Sequence, residues 1–157
     1  MKTKLLAIAV LLLAGSCCNK SHYTQPLGAD TIIPCPHEIV ATEGVFEINS
    51  QTSLLYDAEV EGVANYLVKY LPLSQKSDAE QNYIRLVVDK SLAIDAYTLD
   101  VTADGITIVG NGYGGVFNGV QSLLQMMPAV YTDVVELPLQ VGCVAIKDAP
   151  RFEYRGA

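Results

Sequence analysis

The sequence has little of what marks several large protein classes. Only 10 lysines and arginines stand against 17 acids in 157 residues, for a formal net charge of −7. No basic cluster exists to neutralise phosphates, so no nucleic acid partner is expected. The acidic balance suits a soluble face and a neutral or cationic ligand, and names neither. The four cysteines, Cys17, Cys18, Cys35 and Cys143, form no Cys-x-x-Cys pair. The two histidines, His22 and His37, complete no recognisable ligand set, so no metal site and no cofactor are expected. Cys35 and Cys143 would be able to pair in an exported chain; single buried thiols are the plainer expectation. The apolar run Leu5–Ala14 is ten residues long, whereas a membrane-spanning helix needs about 20.

What is present suits a globular protein. Half of the residues are hydrophobic and 17% are charged, which argues against disorder. The length accommodates a leader and one domain with a core of its own. Met1–Lys4 carries two lysines, Leu5–Ala14 follows, and Gly15-Ser16-Cys17 comes next. A basic end, a short apolar core and small residues before a cut make residues 1–16 a signal peptide. Ala14-Gly15-Ser16-Cys17 resembles a bacterial lipobox, in which the cysteine is lipidated and becomes the new N-terminus. Cys17 is thus the expected lipidation site. The expected localisation is that of an exported, membrane-anchored lipoprotein, periplasmic or at the cell surface. An ordinary cleaved signal with two incidental cysteines is the alternative. Residues 17–30, with Ser, Gln, Pro and Gly, read as a tether between lipid anchor and domain.

Beyond the tether, Thr31-Ile32-Ile33-Pro34 predicts a short first strand, and Val45–Ile48 a second after Gly44. Asp57 begins a helix that runs to about Leu71, where Pro72 stops it. Val60, Ala64, Leu67, Val68 and Leu71 line one face of it. Asp57, Glu59 and Glu61 favour its positive end and Lys69 its negative end. Tyr66 and Tyr70, one turn apart, read as a sugar-stacking shelf or, as the plainer expectation, a helix rim. Tyr83–Asp89 is a strand, with Ile84, Leu86 and Val88 alternating. Tyr97, Leu99 and Val101 repeat that pattern. Asp104-Gly105 signals a tight type I′ turn, and Ile106–Val109 returns as the partner strand. Gly110–Pro128 then opens with glycines and passes into a helix whose face is Val116, Val120, Leu123, Leu124 and Met127. Val134–Ile146, with Pro138 and Gly142, is extended or an edge. The order β-β-α-β-β-β-α-β predicts an α+β fold: a mainly antiparallel or mixed sheet with two amphipathic helices packed on one face.

Gly110-x-Gly112-x-x-Gly115 fits the dinucleotide-binding fingerprint, and Asp133 and Glu136 lie about twenty residues on. The context argues against it. That fingerprint belongs to a parallel β-α-β unit, normally the first in its domain, whereas the strand before these glycines belongs to a hairpin. The alternative is that Gly114, Gly115 and Gly119 permit the turn and a close approach of helix to sheet.

A series of short motifs carries a family resemblance. These are Ile32-Ile33-Pro34-x-Pro36, Gly44-x-Phe46-x-Ile48, Ala96-Tyr97-x-Leu99-x-Val101, Gly105-Ile106-x-Ile108 and Gly115-x-Phe117-x-Gly119-x-Gln121-x-Leu123-x-Gln125. In this order and at these separations they resemble the N-terminal, non-catalytic domain of family 20 β-N-acetylhexosaminidases. Asn118 and Ser122 depart from the family's more usual aromatic and threonine. Ile146-x-Asp148-x-Pro150-Arg151-Phe152-x-x-Arg155-Gly156 resembles the segment leading into that family's catalytic (β/α)8 barrel. The resemblance implies an α+β domain over 31–147, the start of a barrel at 148–157, and a barrel that this chain does not contain.

It also implies an enzyme that removes terminal β-linked N-acetylglucosamine or N-acetylgalactosamine from glycans with retention, the substrate's acetamido oxygen acting as nucleophile. The family's adjacent Asp-Glu pair has no counterpart, because no Asp-Glu dipeptide occurs. No catalytic residue is therefore assigned. Arg155 matches an arginine that reaches the sugar hydroxyls, which a guanidinium fork recognises with two donated hydrogen bonds. A glycan with a terminal N-acetylhexosamine is the implied partner, and its binding would need the barrel. The sequence thus reads as the front portion of a hexosaminidase, inactive by itself. The alternative is a stand-alone, lipid-anchored amino-sugar-binding or structural module.

Overall fold

Alternating apolar residues build the sheet of this protein, whose computed structural model describes residues 28–75, 78–127 and 137–151. In chain order the elements are β1 (Glu38–Ile48), β2 (Ser53–Tyr56), α1 (Glu61–Leu67), β3 (Ser74–Gln75), β4 (Tyr83–Val88), β5 (Tyr97–Val101), β6 (Gly105–Gly110), α2 (Gly112–Gln125) and β7 (Leu139–Asp148). The seven strands form one sheet in the order β1-β7-β5-β6-β4-β2-β3. β1/β7, β7/β5 and β5/β6 are antiparallel; β6/β4, β4/β2 and β2/β3 are parallel. The sheet is therefore evenly mixed, and the fold is α+β as expected.

Register places the apolar residues in rows across the strands. Leu54, Ile84, Ile106, Val101 and Val144 form one row; Leu86, Ile108, Leu99 and Ile146 form the next. All are buried, and they join one core with Val63, Ala64 and Leu67 of α1 and Val116, Val120 and Leu123 of α2. Both helices thus lie on one face. Each such side chain contributes about 1.5–3 kcal/mol by leaving water, so these rows supply most of the drive to fold.

Several boundaries differ from expectation. Thr31–Pro34 is not a strand. Ala29–Thr31 make a 3-10 turn, and Ile33 N–H donates to the side chain of Gln125 instead of to a sheet partner. The second strand is much longer than Val45–Ile48. Its first half pairs with Val144–Lys147 and its second with Leu139–Gly142, with an irregularity between Ala41 and Val45. Gly44, at φ +112°, sits in that irregularity and permits the bend.

The predicted helix from Asp57 splits into a 3-10 turn at Ala58–Val60 and α1. Asp57 explains the split, because it is engaged sideways. Its backbone N–H bonds Leu86 O, and its carboxylate accepts Val88 N–H at 2.8 Å. The β5–β6 hairpin forms, but without a type I′ turn, since the positive-φ residues described are Asn82, Asp95, Gly44 and Gly112. Gly105 is needed for another reason: a Cβ there would lie 2.7 Å from Tyr83 O on the neighbouring strand. Strand β2 had no forecast, and the two-residue β3 lies in Leu73–Gln81, a stretch whose polar sequence reads as a surface loop. Of the predicted last segment, residues 134–136 lie outside the described residues; β7 takes up Leu139–Ile146 and runs on to Asp148, as an inner strand between β1 and β5 rather than an edge.

Candidate functional site

The glycine-rich start of α2 is the first place to look for a ligand. Asn111, just before the helix, donates its side-chain amide to Lys90 O and Leu92 O, and its backbone N–H to Ala96 O. These bonds fold the loop of residues 89–96 around the helix start. Ser91 tightens the same loop by donating its N–H and hydroxyl to Asp89, which holds that carboxyl below its ordinary pKa. Asp95, at φ +58°, brings its carboxylate against Gly114 in the first turn of α2. A helix N-terminus attracts anions, and here the protein supplies its own.

Three other glycines make room where helix and sheet meet. A Cβ on Gly115 would collide with Ala96 O, and one on Gly110 with Val116 N. On Gly119 a Cβ would meet Ile108 Cγ2 at 2.5 Å and Tyr97 Cδ2 at 3.1 Å. The helix therefore rests directly on β5 and β6. β6 is antiparallel to its hairpin partner β5, and α2 carries the chain across β5 to β7. No phosphate cradle results. Asp133 and Glu136 lie outside the described residues.

A cleft of about 450 Å³ opens on the other side of α2. Its floor is Tyr97 with a polar stripe of the helix, Asn118, Ser122 and Gln125. One wall is the strap of residues 32–35, and the other is the chain leaving β7 at 148–151. Sequence position alone would not bring these together; hydrogen bonds do. Gln125 accepts from Thr31 Oγ1 through its backbone oxygen at 2.7 Å and from Ile33 N–H through its side chain at 2.8 Å. Asp148 bonds the His37 ring at 2.6 Å and the His37 N–H at 3.2 Å. Arg151 donates to Cys35 O at 3.2 Å. At the floor, Tyr97 and Ser122 hydroxyls are 2.6 Å apart. Burial, with the Asp148 charge adding to it, raises the Tyr97 phenol above its ordinary pKa against the opposing pull of Ser122.

Cys35 is exposed rather than buried; Cys143 is buried, and both thiols are free. Tyr66, Tyr70, Tyr113 and Phe117 form an aromatic cluster where α1 meets α2. Tyr70 donates to the Tyr66 hydroxyl at 3.2 Å, which lowers the Tyr66 phenol and raises that of Tyr70. The two rings are tilted by 60°, and Tyr66 is tilted by 57° against Phe117. Tyr66 and Tyr70 are thus a helix rim; they do not form a flat shelf. Beside them the buried amide nitrogen of Gln121 has no partner in hydrogen-bond geometry among the described residues, although its nearness helps hold the Tyr66 phenol down.

Against known families, residues 29–149 match the model described as "Glycosyl hydrolase family 20, domain 2". The chain belongs to glycoside hydrolase family 20. It is 32% identical to a β-hexosaminidase of Porphyromonas gingivalis over 95% of this chain, but over 21% of that protein. A β-hexosaminidase of Vibrio vulnificus is 35% identical over 84% of this chain and 16% of its own length. The chain thus spans about a fifth of the curated relatives that it matches. Among solved structures, the family 20 β-N-acetylhexosaminidase of Streptomyces coelicolor superposes with a TM-score of 0.72 at 27% identity, covering 83% of this chain and 28% of that one.

Both residues singled out for function, Cys17 and Arg155, lie outside the matched stretch 29–149 and outside the described residues. What sequence reasoning missed is the clasp made by Gln125, His37, Asp148 and Arg151. The available signal was a polar stripe on α2, Asn118-Ser122-Gln125, on the side away from the packing glycines.

Proposed function

We propose that this chain is the N-terminal part of a β-N-acetylhexosaminidase that hydrolyses terminal β-linked N-acetylglucosamine or N-acetylgalactosamine from glycans, with retention and with the substrate's acetamido group as nucleophile. The domain itself is a non-catalytic support, and the 157-residue chain is inactive. The observation that carries this reading is the family match over residues 29–149, in a chain that spans about a fifth of its β-hexosaminidase relatives. The side chains support it too. Three acidic groups serve structure: Asp57 ties α1's approach to β4, Asp148 holds the strap, and Asp89 folds its loop.

Arg155 would join the sugar site in the parent protein, as a bidentate donor to vicinal hydroxyls. Cys17 would carry the lipid that holds the parent at a membrane after export. Two measurements test the reading. Genomic sequence beyond codon 157 should continue in frame to an Asp-Glu pair, and a stop codon there would sink the enzyme. The purified 157-residue chain should leave a nitrophenyl β-N-acetylglucosaminide intact, and turnover above background would refute its support role.

A further inference from the structure

The side of the sheet away from the helices carries a row with a symmetry of its own. Strands alternate their faces, so the row between the two core rows points away from α1 and α2. Register sets it out, from β2 across to β1, as Leu55, Arg85, Thr107, Asp100, Ala145 and Val40. Thr107 lies on β6, the middle strand of the seven. Arg85 and Asp100 stand one strand to either side of it, with opposite charge, and both are half-buried. Among the described residues neither belongs to an ion pair; Lys147, diagonal to Asp100 on β7, pairs with Glu38 at 3.5 Å. Arg85 is nevertheless held in place. Its guanidinium sits 4.7 Å over the centroid of the Tyr83 ring, and that ring lies against Gly105, where a Cβ would come within 3.0 Å of Tyr83 Cδ2 and Cε2. The stack points the guanidinium along β4 rather than across β6 toward Asp100. A charge drawn partly out of water costs free energy until it is paired, and here two charges of opposite sign lack a pair within the same chain.

We propose that this open face binds a second copy of the same chain, sheet on sheet, about a twofold axis that runs along β6. Because β6 is central, that axis exchanges β4 with β5 and β2 with β7. Height along the strands is kept, so the row meets itself. Arg85 of each copy faces Asp100 of the other, Thr107 faces Thr107, and Leu55 faces Ala145. In the next open-face row Val109 faces Val109 and Val87 faces Thr98. Strand directions stay aligned, as in packed sheets whose strands lie within about 30° of each other and whose layers lie about 10 Å apart. Over these two rows Arg85 and Lys147 balance Asp100 and Glu38, although the chain as a whole carries −7. The contact is self-complementary and closed, so it stops at two copies. A carbohydrate fits the face less well, because the Tyr83 ring beside the row is already taken by Arg85 and Gly105. The proposal needs nothing from the parent reading, so either can fail alone.

The experiment measures self-association by sedimentation velocity over a concentration series. It uses the 157-residue chain with Cys17→Ser, which keeps it free of lipid, in reducing buffer. This chain should pass from monomer to dimer as its concentration rises. Arg85→Glu sets like charges against each other twice in every dimer, and so does Asp100→Arg. Each should weaken dimerisation at least about tenfold, with circular dichroism showing that the variant is folded. An equimolar mixture of the two variants should restore the dimer, because both contacts across the axis are then again of opposite sign. Should either swap fail to fold, Thr107→Arg takes its place, since it sets like charges against each other at the axis itself and should weaken the dimer to the same degree. A chain that stays monomeric throughout, a dimer that the swaps leave unchanged, or folded swapped variants that do not combine would each overturn the proposal.

Discussion

Gly115→Ala adds a single methyl group, and the structure gives it nowhere to go. Built on the present backbone, that Cβ collides with Ala96 O and lies 3.1 Å from Gly110 Cα and 3.2 Å from Gly110 C. All three are backbone atoms. Ala96 O is fixed by Asn111 N–H at 3.0 Å, and Gly110 is held in the β5–β6 ladder. No rotamer change relieves the contact, so α2 must withdraw from the sheet and loosen Val116, Val120 and Leu123 beneath it. Overpacking costs about 1–3 kcal/mol, sometimes more, and rigid backbone on the other side places this site at the top of that range. Better helix propensity returns at most about 1 kcal/mol. The net loss is about 2 kcal/mol, which at a urea m-value of about 2 kcal/mol/M lowers the midpoint by about 1 M.

The assay is urea unfolding followed by far-UV circular dichroism, with Gly62→Ala as the internal comparison. There the new Cβ meets only the ring end of Tyr113, at 3.2 Å and 3.3 Å, and Tyr113 is half exposed and free to swing. That variant should hold its midpoint or gain up to about 1 kcal/mol, by reducing the freedom of the unfolded chain. Gly115→Ala unfolding at the wild-type midpoint, or the two variants moving together, would refute the close-packing role.

Other outcomes follow from the same geometry. Ile108→Ala, in the buried row beneath Gly119, should cost about 2–5 kcal/mol in the same assay through the cavity it leaves. Gln125→Ala removes the acceptor for Ile33 N–H but keeps the backbone oxygen that Thr31 uses. Hydrogen exchange at Ile33 should quicken while global stability falls by no more than about 1 kcal/mol. Burial raises the Tyr97 phenol above its usual 10.0, so the folded state holds that proton more tightly than the unfolded chain. Its contribution is complete below about pH 10 and is lost as pH rises toward the folded value. Tyr97→Phe should flatten that alkaline decline in urea midpoints, and an unchanged slope would show that other groups govern it.

The sheet's central strands were legible because each buries one face only. Ile84/Leu86, Leu99/Val101 and Ile106/Ile108 alternate with half-buried neighbours, and period-2 alternation is what such strands show. The glycine helix was legible for the same kind of reason: its apolar period matches the sheet beneath it. β2 was not, because Thr52 just before it and Ser53 at its start are polar residues that are buried here. Thr52 is satisfied by Asn82 and by Asn49 N–H, a long-range bond that no local pattern announces. β3 is two residues long and has no pattern to read. The strap failed as a strand prediction because Ile33 N–H and the Thr31 hydroxyl bond to Gln125, on a helix more than 90 residues on in sequence, instead of to a sheet partner. The clasp at His37, Asp148 and Arg151 was illegible for that reason also: it is made by residues from opposite ends of the domain.

The glycine motif shows why a short pattern needs its surroundings. Gly110-x-Gly112-x-x-Gly115 meets the spacing for a phosphate loop, follows a strand and opens a helix, yet each glycine answers a different demand. Gly112 takes φ +75° at the turn into the helix. Gly110 and Gly115 leave room for each other's backbone and for Ala96 O. Nothing in those requirements faces a ligand. The residue that decides the question lies outside the motif: the Asp95 carboxylate rests against the helix's first turn, where an incoming phosphate would meet a like charge. A neutral residue at that position should be tolerated, since among the described residues the carboxylate has no hydrogen-bond partner on which the fold depends. Asp95→Asn should therefore change stability by no more than about 1 kcal/mol, the size of an exposed helix-dipole term. It should confer no affinity for inorganic phosphate, because Gly110 and Gly115 remain packed against each other's backbone. Phosphate binding by that variant, measured by calorimetry, would mean that the carboxylate had been masking a true cradle.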